Sequence, residues 1–289
     1  MKQTSNATSL RADPWYVRVP LIILAVALVG WLVVLPVVYV FASAFEKGWE
    51  VYWRTVSREE ARHALRLTLC VAASAVAMNT VFGLAAAWWL TRRCRRGRNF
   101  WVACLDLPLT LSPVVAGLCL VLFFGARSPV GSFLERAGVP IIYNVGALVL
   151  ATALVTMPFV ARELMPTLEA IGTEQEQAAR TLGARPWQVL LYVTLPQIKW
   201  GLLYGILLCS ARAIGEFGAV SVVSGRKAGR TDTLTIHIEK LYQSLAPDAL
   251  PAAFAVASLL TVLGLISLAA QWYMHKGAWI WDQREWAKQ

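Results

Sequence analysis

Residues 174–196, EQEQAARTLGARPWQVLLYVTLP, form a polar insert between two segments apolar enough to span a bilayer. Thr173 suits a helix N-cap with Glu176 as its capping-box partner, and Glu174 and Glu176 both favour the positive end of the helix dipole. Ala178, Ala179 and Leu182 give that helix one small apolar face. Gly183 supplies the residue type that ends a helix in the left-handed region, and Pro186 suits the first turn of a second one. A helix, a stop and another helix are thus written into one short stretch. It reads either as a grip for a soluble partner or as an ordinary loop helix on the membrane surface.

Outward from this insert the class follows from composition. Over 289 residues, 57% are hydrophobic and only 15% charged, against about a quarter charged in soluble domains. Six runs approach the ~20 apolar residues that a spanning helix needs: about 19–45, 64–90, 101–124, 145–161, 200–223 and 251–273. The expected fold is all-α, a polytopic membrane protein of six transmembrane helices, since a barrel shows short alternating segments instead. A segment 1–18 precedes the membrane domain 19–274, and a tail 275–289 follows it. The first run is too long for a signal peptide and is taken as a retained span.

The basic loop Arg92, Arg93, Arg95, Arg96, Arg98 marks the cytoplasmic side, which puts both termini there and makes both end segments cytoplasmic. The net charge of +10 is spread over both membrane faces. It therefore points to topology and phospholipid contact, and away from nucleic acid. Trp88, Trp89, Trp101, Trp272, Tyr273, Trp279 and Trp281 flank the spans as interfacial anchors. Cys70, Cys94, Cys104, Cys119 and Cys209 form no CxxC pair and read as small core residues. His63, His237 and His275 lack ligand spacing, so no metal site is expected. No phosphate loop, nucleophile elbow or HExxH motif occurs, so any ATP must be bound by a partner.

Charge inside the membrane marks candidate function. The fifth span holds Arg212 and Glu216 one turn apart, and each costs roughly 2.5–3.5 kcal/mol near a bilayer centre. They read as a packing pair or as neighbours of a solute path, with Glu216 the one intramembrane acid. Gly201 and Gly205, Ala211 and Gly215, then Gly218 set small-xxx-small spacing for close helix approach. Pro196 is expected to break the helix between the insert and this span. In the third span, Pro108 and Pro113 leave backbone carbonyls for Thr110 and Ser112 to satisfy, either as an interfacial kink or as a broken segment beside the substrate route.

These residues resemble the permease subunits of bacterial ATP-binding-cassette importers. That family's signature, EAA, then glycine, then LP, is similar to Gln177-Ala178-Ala179, Gly183 and Leu195-Pro196, with Gln177 at the usual glutamate position and Glu176 one place earlier. Ser210–Gly225, Asp106–Leu118 and Val193–Gly205 resemble the sulfate/thiosulfate permeases, on the side of the CysW-type partner. Molybdate permeases, which share ARAxGEFG, more often carry a double proline where Ser112-Pro113 stands.

The resemblance implies a type I importer permease fold, a second related permease as heterodimer partner, and two copies of a cytoplasmic ATPase carrying ATP and Mg2+. It also implies a periplasmic sulfate/thiosulfate-binding protein and an inner-membrane location. It makes this chain a transport subunit with no cofactor or catalytic residue of its own. A dianion entering an inside-negative cell faces roughly twice 2.3 kcal/mol per 100 mV, which calls for ATP. Glu174, Glu176, Gln177, Ala178, Ala179, Arg180, Gly183, Arg185 and Trp187 are then the ATPase-coupling residues, and Ser112, Pro113, Arg212, Gly215, Glu216 and Ser221 the path residues. Arg212 is not assigned as a direct ligand, because backbone amides and helix N-termini hold an anion without trapping it. The stretch 225–248, strand or helix, is a docking surface for the delivery protein. A molybdate/tungstate permease and an ion-coupled anion carrier are the alternatives.

Overall fold

Lipid offers no hydrogen-bonding partner, so each apolar run must close its backbone bonds internally. In the computed structural model, which describes residues 15–94 and 96–286, the runs do so as helices, and no strand occurs among the described residues. Helices α1 (Trp15–Phe45), α2 (Trp49–Val56) and α3 (Glu59–Arg92) are followed by α4 (Arg98–Thr110), α5 (Pro113–Phe124), α6 (Pro129–Arg136) and α7 (Val145–Ile171). The second half holds α8 (Glu174–Thr181), α9 (Pro186–Gln188), a π turn (Val189–Thr194), α10 (Leu195–Ile214), α11 (Gly218–Val223), α12 (Leu234–Gln243) and α13 (Ala249–Trp286). Five helices are long and apolar enough to cross a membrane, and α4 with α5 makes a sixth span bent by 102°.

Helix α7 is the hub. Its Leu148, Val160, Leu164 and Leu168 are fully buried, with α3 and α10 packed against it. Helix α13 lies on α10, and α1 lies outermost on α13, where Tyr39 meets Phe254 edge-on at 5.5 Å. The first span is thus otherwise exposed, as suits a helix whose solvent is lipid. Where α3, α7 and α10 cross, Asn79 donates to the carbonyl of Ala153 at 3.0 Å and to Thr156 Oγ1 at 2.8 Å. Cys209 closes this polar knot, its thiol 3.7 Å from Asn79 Nδ2.

Several expectations change. Pro196 does not break the chain: Pro186–Ile214 is one continuous run, because the π turn 189–194 widens the backbone where the proline ring would strike a regular turn. Cys70, Cys104 and Cys119 are exposed on helix faces and Cys94 is half-buried, leaving only Cys209 in the core. Bilayer-facing surfaces are as apolar as interiors, so an apolar run did not tell the two apart. Backbone helix extends to Trp286 in the expected tail, while the side chains of His275, Trp279 and Trp281, and all of Arg95, lie outside the described residues. Trp89 and Trp101 pair edge-on at 5.7 Å.

At the end of the bundle remote from Arg92, the segment read as strand or helix is helical, as α12. Thr68 Oγ1 accepts from the Leu234 amide at 2.7 Å, tying α12 to α3. Asp232 pairs with Lys240, and Arg226 with Glu239. Burial pulls the His237 pKa below its ordinary 6.5, a drop opposed by Glu60 and Asp232 and reinforced by Lys240 and Arg58.

Two outcomes follow. Asn79→Leu should lower stability in detergent by about 1 kcal/mol, read as a lower thermal midpoint. Because the folded pKa of His237 is depressed, its contribution is present above 6.5 and lost as pH falls below that value. Protection factors of the α12 amides, taken relative to the intrinsic exchange rate at each pH, should therefore fall between neutral and acid pH, and His237→Gln should flatten that response.

Candidate coupling elbow and translocation path

The elbow is built from α8 and its termination. The Gly183 amide bonds the Arg180 carbonyl at 3.0 Å and the Ala184 amide the Ala179 carbonyl at 3.0 Å, a Schellman stop that needs Gly183 at φ +86°. Arg185 N–H then donates to Gln188 Oε1 at 2.8 Å, starting the next helix. The stop leaves Glu174, Gln177, Ala178, Arg180, Gly183, Arg185 and Trp187 exposed and Ala179 half-buried, with Leu182 89% exposed at the apex. This is one connected surface of small and apolar residues with basic neighbours.

Glu176 alone of the expected coupling residues points inward, and it makes no capping box. Its Oε1 pairs with Arg92 Nε at 3.1 Å, with both side chains under 10% exposed. Thr194 Oγ1 donates to the same oxygen at 3.1 Å, and Arg92 Nη2 donates to the Gly172 carbonyl at 2.5 Å. Charge-assisted bonds of this kind outcompete a neutral cap. Thr173 instead accepts from Gln177 Nε2 at 2.9 Å, so the residue at the usual glutamate position does local work. The clasp fastens α8 to the end of α3 and to the π turn.

At the other candidate site both the third and the fifth expected spans are broken. Before Pro113 the chain must be extended, and Ser112 has φ −59° and ψ 134°. Between α10 and α11 the helix stops at Gly215–Phe217. The broken halves pack together: a methyl on Gly218 would lie 2.8 Å from Pro113 Cβ, and one on Gly117 would lie 2.7 Å from the Ala219 carbonyl. Ser112 and Gly215 are exposed beside this joint.

Arg212 Nη1 meets Glu216 Oε2 at 2.5 Å, with Arg212 35% and Glu216 1% exposed. Glu216 Oε1 also accepts from the Ala219 amide at 2.9 Å, and the Glu216 carbonyl accepts from Thr235 Oγ1 at 3.1 Å. Glu216 is therefore the closure of the break, satisfying backbone that the missing turn exposes. Ser221 Oγ donates to the Gly218 carbonyl at 2.9 Å and is spent within α11.

The sequence reading missed further charges. Asp106 receives a two-pronged bond from Arg162, Nε at 2.6 Å and Nη2 at 2.7 Å. Asp106 stands one and a half turns, about 7 Å, beyond the interfacial Trp101 along α4. Glu163 neighbours Arg162 on α7, so Glu216 is not the one acid within the helices long and apolar enough to span. Arg98 pairs with Glu169 nearer the end of the same two helices. The signal was the Arg162-Glu163 dipeptide, excluded when the fourth span was ended at Ala161 although the helix runs to Ile171.

The geometry agrees with what the comparisons find. Residues 79–278 match the family model for the binding-protein-dependent transport system inner membrane component. The chain is 47% identical over 252 residues, 87% of it and 90% of the relative, to "Sulfate transport system permease protein CysW" of Synechocystis sp.. It is 35% identical to "Sulfate transport system permease protein CysT" of Escherichia coli K12, covering 82% of this chain and 84% of that one. Its fold matches the crystal structure of a bacterial ABC transporter involved in the import of the acidic polysaccharide alginate, with TM-score 0.70, 15% identity and coverage of 91% and 94%. Helical throughout its spans, broken twice and carrying an exposed elbow, the chain belongs to the family of binding-protein-dependent transport inner-membrane components.

Proposed function

We propose that this chain is one of two unlike membrane subunits of an ATP-driven importer of sulfate, and of thiosulfate as its close analogue. The exposed elbow surface carries this reading: Ala178, Leu182, Gly183 and Trp187 are uncovered while the clasp behind them is buried. A surface that is apolar at its apex and rigidly backed is built to be covered. Its occupant is a cytosolic ATPase, two copies of which hold ATP and Mg2+ and hydrolyse the nucleotide for the complex. The names of the relatives support sulfate, and their division into two kinds supports a heterodimer. A periplasmic binding protein delivers the anion at the α12 end, where the 225–248 stretch offers its docking surface. The elbow end and both termini then face the cytoplasm, in accord with Arg92, Arg93, Arg96 and Arg98 at that end.

The path runs past the joint of the two breaks. Ser112, Pro113, Arg212 and Gly215 border it, while Glu216 and Ser221 shape it from behind. Arg212 is offset by Glu216 and so passes a dianion without trapping it. The Arg92–Glu176–Thr194 clasp makes α3 and the π turn follow the elbow, so closure of the ATPases reshapes the joint.

Gly183→Trp should leave insertion intact yet reduce sulfate uptake by proteoliposomes of the whole complex at least tenfold, since it strains a left-handed position and fills the docking face. Full uptake would refute the elbow's role. Arg92→Met should cost about 3–5 kcal/mol by leaving Glu176 buried without its partner, and the pair Arg92→Met with Glu176→Leu should recover much of the thermal midpoint but not coupled ATPase activity. Competition of uptake by thiosulfate, molybdate and tungstate tests the substrate: exclusion by molybdate at far lower concentration than by sulfate would replace sulfate with molybdate.

A further inference from the structure

Beneath the joint of the breaks, α7 presents an open strip. Above it, Val155 is buried in the cluster of Ala116 and Leu120 from α5 and Ala219 and Val220 from α11, so the joint forms a roof. Below that level Phe159 and Glu163 are half-buried, and Arg162, Pro166 and Ala170 are exposed. Helix α4 walls one side, through Arg162 and Asp106. Helix α10 walls the other, where Gly205 stands against Val160 and Glu163. The strip is thus the floor of a groove that opens towards the elbow end and stops at the joint.

The charges on this floor are not balanced. Arg162, 55% exposed, is engaged on both prongs by Asp106. Arg98 and Glu169 pair with each other. Among the described residues no lysine or arginine pairs with Glu163. In a chain of net charge +10, the charge left over on the inner floor is therefore negative. A residue that bound an oxyanion would have the opposite sign.

We propose that Glu163 is a release residue: its carboxylate lowers the affinity of the inward-open path for the anion, so that a dianion passing the joint is expelled to the cytosol and does not rebind. The inference rests on the oxyanion reading above. An importer that accumulates its substrate fills its own exit with product, and a groove attractive to that product stalls. A dianion about 8 Å from one carboxylate is repelled enough to weaken its binding roughly fivefold even at the dielectric constant of water, and more in a groove walled by protein. The repulsion acts through space and so weakens with salt.

The test uses the assembled complex in proteoliposomes, with binding-protein-stimulated ATP hydrolysis recorded as sulfate is raised on the ATPase side. Glu163→Gln should lower the half-inhibiting sulfate concentration roughly fivefold, Glu163→Asp should behave as wild type, and raising potassium chloride should narrow the gap between Gln and wild type. Equal inhibition of wild type and Glu163→Gln would overturn the proposal, as would a shift in Glu163→Asp equal to that in Glu163→Gln. A Glu163→Gln chain that fails to assemble where Glu163→Asp assembles would overturn it too, by showing that the carboxylate pairs with a cation of the other permease. If the wild-type complex carries a different oxyanion, the three chains are compared with that anion, so a wrong substrate and a wrong role for Glu163 give different results.

Discussion

A helix that stops within an apolar run leaves amides and carbonyls that lipid cannot satisfy, and two of the expected spans do so, at Leu111–Ser112 and at Gly215–Phe217. The breaks are tolerated because they are placed against each other. Gly117 and Gly218 let α5 and α11 touch backbone to backbone, and the Glu216 carboxylate bonds the first turn of α11 while facing Arg212. Each break packs closely against the other, so the position of one constrains the other. The remaining helices enclose this joint: α7 packs behind both halves, and α12 is pinned to the Glu216 carbonyl by Thr235.

The same need for satisfied charge explains the elbow. Glu176 and Arg92 are distant in sequence and are both taken out of water, an arrangement that stabilises only when the remaining hydrogen-bonding sites are filled. Thr194 and the Gly172 carbonyl fill them. The result is a short helix whose exposed face is free of structural duties, since Gln177 bonds only Thr173, no side chain caps the helix start, and its termination falls to Gly183. Ala178 and Leu182 are left exposed without any structural task, as the proposed docking of a partner requires.

Residue patterns that act over one or two turns were legible in the sequence, and those that depend on distant partners were not. Apolar runs gave the spans, Gly183 gave the helix stop, and Pro113 marked a kink or a break. That the third span turns by 102° depends on Gly218 lying beneath Pro113, a contact between distant segments. The break after Ile214 was invisible because Gly215 and Gly218 read equally well as small packing positions of an unbroken helix, and no proline marks the stop. Glu176 fits a capping box by spacing, and only the fold reveals Arg92 as the stronger partner. Pro196 was read as a breaker because a local rule assumes an α-turn before it, and the π turn removes that assumption. Arg162 and Glu163 were lost to an error of boundary: ending the span at the first charge hides charges that a helix carries into the membrane.

One continuous run, Pro186–Ile214, joins the elbow to the second break. Its 29 residues amount to about 43 Å of helix, stiff along its axis and wider only at the π turn. The clasp seizes this rod at Thr194, close to the elbow, and Cys209 and Gly205 hold it against α7. Under the proposed coupling, a push at the elbow has no hinge at Pro196 in which to dissipate, since the helix is unbroken there. It would arrive at Gly215–Phe217, the first interruption of the helix, where α11 is packed against α5. The roof over the already open Arg162–Glu163 strip is made of those same two helices, so under the proposed cycle a displacement that opens the joint connects the path to the acidic floor below it. In that proposal one contact, between α5 and α11, governs both access and release.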